Sequence, residues 1–224
     1  MVASLRRPRA QGRPLASAPG ASREMLLDAA AELFGRQGIA ATSMAGIAAQ
    51  AGVTAAMVHY HFKGREALLD ALVEERIQPL LGFVWGPADP AVQELPALIE
   101  GLVHRLLEGP GRQAWLPPLW VREVLSEGGQ LRERVLARLP LPRIQAIVDA
   151  VTAGQARGEV NPDLEPRLLV ISIMGLTMLP LATANLWRRL PGTAGLDAKA
   201  LARHAIALLG GGLRPPRRRS PRGG

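Results

Sequence analysis

The chain has 224 residues, 48% of them hydrophobic and 21% charged, which is enough to bury a sizeable core in one or two domains. It contains no cysteine, so disulfide bonds and thiolate catalysis are excluded, and the composition fits a reducing compartment. The net charge of +8 belongs to the two ends, since residues 1–22 and 213–224 carry four and five arginines and no acid. The body between them has 18 cations and 19 acids, so it must bind any polyanion through a few well-placed contacts.

The two ends are also rich in proline and glycine, so residues 1–21 and 212–224 are predicted to be disordered basic segments. Such segments add salt-sensitive attraction to a polyanion, or are simply solvated ends. The first segment lacks the apolar stretch of an export signal, and we therefore expect a cytoplasmic protein.

Residues 22–78 are predicted to form one packed unit of four helices. The first helix begins near Ser22, carries apolar residues at helical spacing, and ends in the stretch Gly35–Gly38. The last helix runs from Arg65 to Gln78 and has leucines along one side.

Two short helices joined by a tight turn are predicted inside this unit. Thr42 and Ser43 can cap a helix over Met44–Gln50, because their hydroxyls satisfy free backbone donors. Gly52 then reverses the chain, since glycine tolerates positive φ. Thr54 can cap the second helix, and an apolar residue within that helix anchors it to the first.

The order and spacing of these residues resemble the DNA-binding domain of the TetR family of bacterial regulators. The matching residues are Ala29–Ala30, Leu33–Phe34, Gly38, Thr42–Ser43, Ile47–Ala48, Ala51–Gly52–Val53–Thr54, Tyr60–His61–Phe62 and Glu66–Ala67–Leu68. The resemblance implies an all-α fold, with an N-terminal helix-turn-helix DNA-binding domain of three or four helices over residues 22–78. It also implies a larger helical domain over residues 79–211 for effector binding and dimerisation. Taken alone, the two short helices also fit an ordinary helical hairpin whose tyrosine and histidines cover a core.

The second short helix would lie in the major groove of DNA, with cations at the start of the next helix meeting phosphate. The residues predicted to contact DNA are Thr42, Ser43, Thr54, Ala55, Ala56, Met57, His59, Tyr60, His61, Lys63 and Arg65. By the resemblance, Arg65 corresponds to the family's cation at the start of the fourth helix. His59 stands where the family usually has a tyrosine; imidazole still donates to phosphate, but it is shorter and titrates near neutrality. His59 and His61 lie on different helix faces, so we predict no metal site.

Leu168–Trp187 is a stretch of 20 residues without a charge, which is long enough to span a bilayer. Polar residues and Pro180 interrupt it, so we favour burial against a second subunit over a membrane span. In the TetR family, two late helices of each subunit form a four-helix bundle. Their counterparts here are about Pro166–Leu190 and Ala198–Leu209, so we expect a homodimer and no membrane partner.

The middle of the chain is predicted to contain several helices. Glycine and proline breaks separate them at Gly86–Pro87, Gly109–Gly111, Gly128–Gly129 and Pro140–Pro142. In the TetR family this region surrounds an effector pocket. The candidates to line such a pocket are Trp85, His104, Trp115, Trp120 and, from a later helix, Thr177. Scarce charge favours a small apolar or aromatic effector, although each single residue also fits an ordinary core or surface role.

No catalytic residues are predicted. The sequence has no glycine-rich phosphate loop, no G-x-S-x-G elbow and no zinc helix, so we expect neither an enzyme nor a cofactor. The expected function is that of a DNA-binding transcriptional regulator, most simply a repressor, which binds a pseudo-palindromic operator as a homodimer and is released by a small effector. The alternative is a helical ligand-sequestering or protein-interaction protein whose DNA-binding domain no longer binds DNA, and an enzyme ranks third.

Overall fold

A computed structural model describes residues 19–216, with side chains for residues 23–216. Every regular element within residues 19–216 is helical, which confirms the all-α prediction. The helices are α1 (Pro19–Gln37), α2 (Met44–Gln50), α3 (Ala55–His61), α4 (Arg65–Leu72), α5 (Gln78–Trp85), α6 (Leu95–Glu108), α7 (Leu116–Trp120), α8 (Arg132–Leu136), α9 (Leu141–Ala156), α10 (Pro166–Ala182), α11 (Ala184–Trp187) and α12 (Ala198–Leu213). Most of the predicted basic arm and most of the predicted basic tail lie outside the described residues. Residues 19–21 were predicted to be disordered but belong to α1, and residues 212–213 were predicted to be disordered but are the last residues of α12.

Two π-helical turns interrupt the regular α-helical pattern. The first, Val73–Ile77, joins α4 to α5 without a break in the helical path. The second, Val121–Leu125, continues α7. The predicted breaks in the middle region are confirmed, since the glycine and proline stretches separate helices there; only Pro140–Pro142 reaches into the first turn of α9.

The core consists of two hydrophobic clusters. The first joins α1–α4 to α7, α8 and the π turn between them. The second joins α5, α6, α9, α10 and α12. Leu81 and Met174 pack against both clusters, so the two are in contact. The helices around the predicted DNA-binding unit therefore share a core with helices from the later part of the chain.

The end of α1 packs very closely against the start of α7. A Cβ atom placed on Gly35 would lie 2.6 Å from the carbonyl oxygen of Trp115, which is too close for any side chain. Only glycine fits at this position, and the contact fixes α1 against the later helices.

The late apolar stretch forms shorter helices than predicted. α10 ends at Ala182, close to Pro180, which lacks an N–H group and disturbs the helix around it. The Thr183 hydroxyl donates to the Leu179 carbonyl oxygen at 2.7 Å, and the Trp187 Nε1 donates to the Pro180 carbonyl oxygen at 2.6 Å. Within residues 19–216, no helix combines the length and the apolar character that crossing a bilayer requires.

Candidate DNA-binding helix and central cavity

α2 and α3 form a compact pair with a tight turn between them. The Ser43 hydroxyl oxygen accepts the Gly46 N–H at 3.0 Å and caps α2 at the predicted residue. Gly52 has a φ of +68° in the turn, which is the left-handed region that favours glycine. Val58 is fully buried and holds α3 against α1 and α2. The local sequence therefore places α3 on the surface of the unit with one side anchored.

The opposite side of α3 is open to solvent. Ala55, Ala56, His59 and Tyr60 are exposed, and 75% of Tyr60 is accessible. Thr54 occupies the N-cap position, but its side chain makes no capping hydrogen bond. The two alanines allow DNA to approach the helix closely. The hydroxyl, imidazole and phenol groups beside them can reach base edges and phosphates.

Met57 and His61 lie at the edges of this exposed face and are half-buried. The His61 ring meets the Tyr60 ring edge to face, with the centroids 5.0 Å apart. The His61 Nε2 atom is buried and has no hydrogen-bond partner among the described residues. The His61 ring therefore packs beside the exposed tyrosine and orients it.

Two of the residues predicted to contact DNA have internal roles. Thr42 is 1% exposed, and its hydroxyl donates to the Gly38 carbonyl oxygen at 2.8 Å. Arg65 donates from Nη1 to the Ile39 carbonyl oxygen at 2.7 Å, and from Nη2 to the Thr42 carbonyl oxygen. The guanidinium therefore ties the start of α4 to the loop between α1 and α2. Both side chains are therefore occupied by hydrogen bonds within the fold.

Lys63 is the exposed cation next to α3. It lies between the end of α3 and the start of α4, and it makes no ion pair with any described residue. Its ammonium group is therefore available to a phosphate.

The acids of α4 and of the π turn that follows it are paired with two arginines, one in α8 and one just after it. Arg134 bonds to Asp70 at 2.6 Å and to Glu66 at 2.5 Å, and Arg138 bonds to Glu74 at 3.0 Å. Burial of Arg134 lowers its pKa, but the hydrogen bonds to the two carboxylates outweigh this effect, and the pKa is raised overall. The negative charge of the N-terminal unit is thus largely paired and does not oppose a polyanion at α3.

A cavity of about 440 Å³ lies between the two hydrophobic clusters and is called the central cavity below. Leucine, isoleucine, valine, methionine and tryptophan side chains make up most of its wall, with contributions from α5, α7, α8 and α10. Among the described residues that line it, Arg132 alone carries a charge. Its size and apolar wall are typical of small-molecule sites.

The five predicted effector-binding residues divide between the cavity and other places. Trp85 and Trp120 line the central cavity, whereas Trp115 packs against the first hydrophobic cluster. His104 is exposed on α6, with Nε2 3.8 Å from a carboxylate oxygen one turn earlier. Thr177 is fully buried, and its hydroxyl donates at 2.8 Å to a carbonyl oxygen one turn earlier in α10. Trp115, His104 and Thr177 therefore do not belong to the wall of this cavity.

The π turn after α7 connects the cavity to the DNA-binding unit. Three of its residues line the central cavity. Between them, Glu123 is 6% exposed, and its Oε1 accepts the Ile39 N–H at 3.2 Å. Its Oε2 accepts the Gln130 N–H at 3.1 Å. One helical turn thus holds both a wall of the cavity and the loop that leads into α2.

Comparisons with known proteins agree with this geometry. Residues 26–72 match the family model described as bacterial regulatory proteins, tetR family. The transcriptional regulator SrpR of Pseudomonas putida is 37% identical over 148 residues, covering 64% of this chain and 67% of SrpR. The transcriptional repressor KstR2 of Mycolicibacterium smegmatis is 27% identical over 199 residues, covering 88% of this chain and 93% of KstR2.

A solved structure shows the same fold. The ketosteroid transcriptional regulator KstR2 of Mycobacterium tuberculosis superimposes with a TM-score of 0.66 at 22% identity, covering 86% of this chain and 94% of that protein. The likeness extends over both hydrophobic clusters, beyond the α2–α3 pair. The chain therefore belongs to the TetR family of bacterial transcriptional regulators.

Proposed function

We propose that the protein is a homodimeric transcriptional repressor that binds a pseudo-palindromic operator through α3 of each subunit. A small apolar molecule in the central cavity releases it from the DNA. The observation that carries the proposal is the exposed face of α3, with Tyr60 75% accessible next to small residues and the exposed Lys63. The name of the relative KstR2, a transcriptional repressor, supports the direction of regulation.

The proposed DNA contacts are a subset of the residues predicted from the sequence. Base edges are met by small and aromatic side chains of α3, and phosphates by hydroxyls and by the ammonium group of Lys63. The proposed contact residues are Ser43, Thr54, Ala55, Ala56, Met57, His59, Tyr60 and Lys63. Thr42 and Arg65 support this surface from behind, and His61 contacts Tyr60 from the edge of the face.

Dimerisation is supported by the exposed apolar faces of α10 and α12. Ile171 is 64% exposed and Leu179 51% exposed, although both are aliphatic. The exposed residues on the same face of α10 are Leu168, Ile171, Ser172, Gly175 and Leu179, and those of α12 are His204, Ala207, Leu208 and Gly211. Small residues among the aliphatic ones allow two helix pairs to approach closely in a four-helix bundle. Such a dimer presents two α3 helices to successive major grooves.

Release by an effector follows from the shared wall. A molecule that fills the central cavity presses on the π turn after α7, whose Glu123 holds the Ile39 amide. Movement of that turn shifts the loop before α2, and with it the position of α3 relative to the second subunit. The spacing of the two α3 helices then matches the fixed pitch of the operator less well, and the affinity for DNA falls. Effector binding and DNA binding are in this way coupled.

The experiment that tests DNA binding is selection of binding sites from random duplex DNA with the purified protein. The expected result is enrichment of an inverted repeat, which the Tyr60→Ala variant binds at least ten-fold more weakly. A protein that only sequesters a ligand would enrich no repeat, and this outcome would refute the proposal.

Lys63 and Lys199 provide a matched pair of variants, because they are the two lysines of the chain. Loss of one phosphate contact reduces the slope of log affinity against log salt by about 0.9, so Lys63→Ala, which removes one contact from each subunit of a dimer, should reduce it by about 1.8. Lys199→Ala, on α12, should leave the slope unchanged. Equal slopes for the two variants would remove Lys63 from the interface.

A further inference from the structure

We infer that the effector of the central cavity is an apolar molecule with one carboxylate, and that Arg132 is the counter-ion of this group. The inference rests on the proposed function, because it takes the central cavity as the effector site. It adds the charge and the chemical class of the effector.

Arg132 lies in the wall of the central cavity and is half-buried. It is the first residue of α8 and shares a helix face with Leu136, four residues later. Both residues line the cavity, and Leu136 is 41% exposed, so this part of the wall reaches solvent. A ligand whose head group meets the arginine places its apolar body among the aliphatic residues of the wall.

The Arg132 guanidinium is not used by the fold. Within residues 23–216 it takes part in no ion pair or side-chain hydrogen bond, whereas Arg134 and Arg138 on the same segment are both paired with acids of α4 or of the π turn after it. Arg105 on α6 donates from Nε to the carbonyl oxygen of the cavity residue Val84 at 2.8 Å. A half-buried cation beside an apolar wall loses part of its hydration, and an anion brought by the ligand compensates for this loss.

A second polar group in the wall also lacks a partner. Trp120 lines the cavity and is 7% exposed, and its Nε1 atom is buried with no acceptor among the described residues. The indole N–H only donates, so it is satisfied by a ligand oxygen and not by an ammonium group. Arg132 and Trp120 thus both favour a head group that accepts hydrogen bonds.

The number of cations sets the charge of the head group. Because Arg132 alone among the described lining residues is charged, the cavity matches a single negative charge better than a multiply charged phosphate. A carboxylate also fits the planar fork of a guanidinium with two parallel hydrogen bonds. The cavity volume of about 440 Å³ is within the usual range for small-molecule sites and leaves room for an aliphatic body.

The test compares three probes of equal chain length and different head group: decanoate, decanol and decyltrimethylammonium. Binding to the full-length protein at pH 8 is measured by calorimetry and by the fluorescence of the tryptophans, two of which line the cavity. We expect decanoate to bind at least ten-fold more tightly than the other two probes, the ratio expected for one charge-assisted pair. Arg132→Leu should reduce decanoate to the affinity of decanol and leave decanol unchanged.

Arg112→Leu is the matched control, because Arg112 is exposed on the turn after α6 and does not line the cavity. If Arg132→Leu does not fold, Arg132→Gln removes the charge with less change in polarity and is expected to give the same result. Two results would overturn the inference and still leave the cavity as an effector site. One is decanoate affinity that is the same in the wild type and in both Arg132 variants, and the other is equal affinity of the wild type for all three probes. If none of the probes binds, both the inference and the effector part of the proposed function are refuted, whereas operator selection remains an independent test of DNA binding.

Discussion

Glu123 offers the clearest test of how the later helices hold the DNA-binding unit. Its carboxylate accepts two backbone N–H groups, from Ile39 and Gln130, and Ile39 is fully buried. In Glu123→Ala both donors lose their acceptor. An unpaired buried donor costs about 1–3 kcal/mol, and the half-buried Gln130 amide costs less because water can reach it. We therefore expect the free energy of unfolding to fall by about 2–4 kcal/mol, a large part of the 5–15 kcal/mol typical of a folded domain.

The measurement is urea denaturation of the wild type, Glu123→Ala, Glu123→Gln and Glu127→Ala. Glutamine retains one acceptor oxygen, so Glu123→Gln should lose roughly half as much as the alanine variant. Glu127 is exposed after the same π turn and its side chain makes no hydrogen bond to a described residue, so Glu127→Ala should stay within about 0.5 kcal/mol of the wild type. Hydrogen exchange at the Ile39 amide, measured in parallel, should become faster only in the Glu123 variants.

One result would refute this reasoning. If Glu123→Ala destabilises the protein no more than Glu127→Ala does, and the Ile39 amide exchanges at the wild-type rate, then the carboxylate does not hold the loop before α2. The proposed route from the cavity to α3 would then lose its physical link.

Three further predictions concern the packing around this loop and the dimer. The single ammonium group of lysine cannot donate to both carbonyl oxygens as the planar guanidinium of Arg65 does. Arg65→Lys should therefore lower the free energy of unfolding by about 1–2 kcal/mol, measured by urea denaturation without DNA. Gly35→Ala should destabilise the protein more than Gly52→Ala does. The first change places a Cβ atom 2.6 Å from the Trp115 carbonyl oxygen, whereas the second only puts alanine in the left-handed region, which costs about 1–2 kcal/mol. The opposite order in thermal melts would contradict the packing of α1 on α7. Ile171→Glu should shift the protein from dimer to monomer in sedimentation velocity, since it places a charge on the exposed face of α10, and an unchanged dimer would place the interface elsewhere.

The sequence was sufficient to predict the α2–α3 pair because its signals are local. A capping serine, a glycine at positive φ and a buried valine each act within a few residues, and the predicted bounds of α2 match those of the structure. The internal role of Arg65 is not evident from the sequence for the opposite reason. Its partners are carbonyl oxygens of the loop between α1 and α2 that lie 23 and 26 residues away, so no local spacing reveals them.

The cavity was located only in part from the sequence. Large aromatic residues are good candidates for a cavity wall, and Trp85 and Trp120 do line it. Trp115 does not, because α7 turns it towards α1, where it packs against the first cluster. The sequence does not distinguish Arg132 from the many other arginines of the chain. Only the structure shows that Arg134 and Arg138 are paired with acids, whereas Arg132 has no such partner within residues 23–216.

The exposed face of α10 has a consequence for how the protein must be assayed. Ile171, Gly175 and Leu179 are exposed on that face and also line the central cavity. If this face pairs with a second subunit, the same side chains take part in both dimerisation and effector binding. Thermodynamic linkage then requires each of these two equilibria to depend on the other. Effector affinity then depends on total protein concentration near the dimer dissociation constant, and a dilute fluorescence titration and a concentrated calorimetric one need not agree. A systematic difference between these two measurements would itself report on subunit pairing.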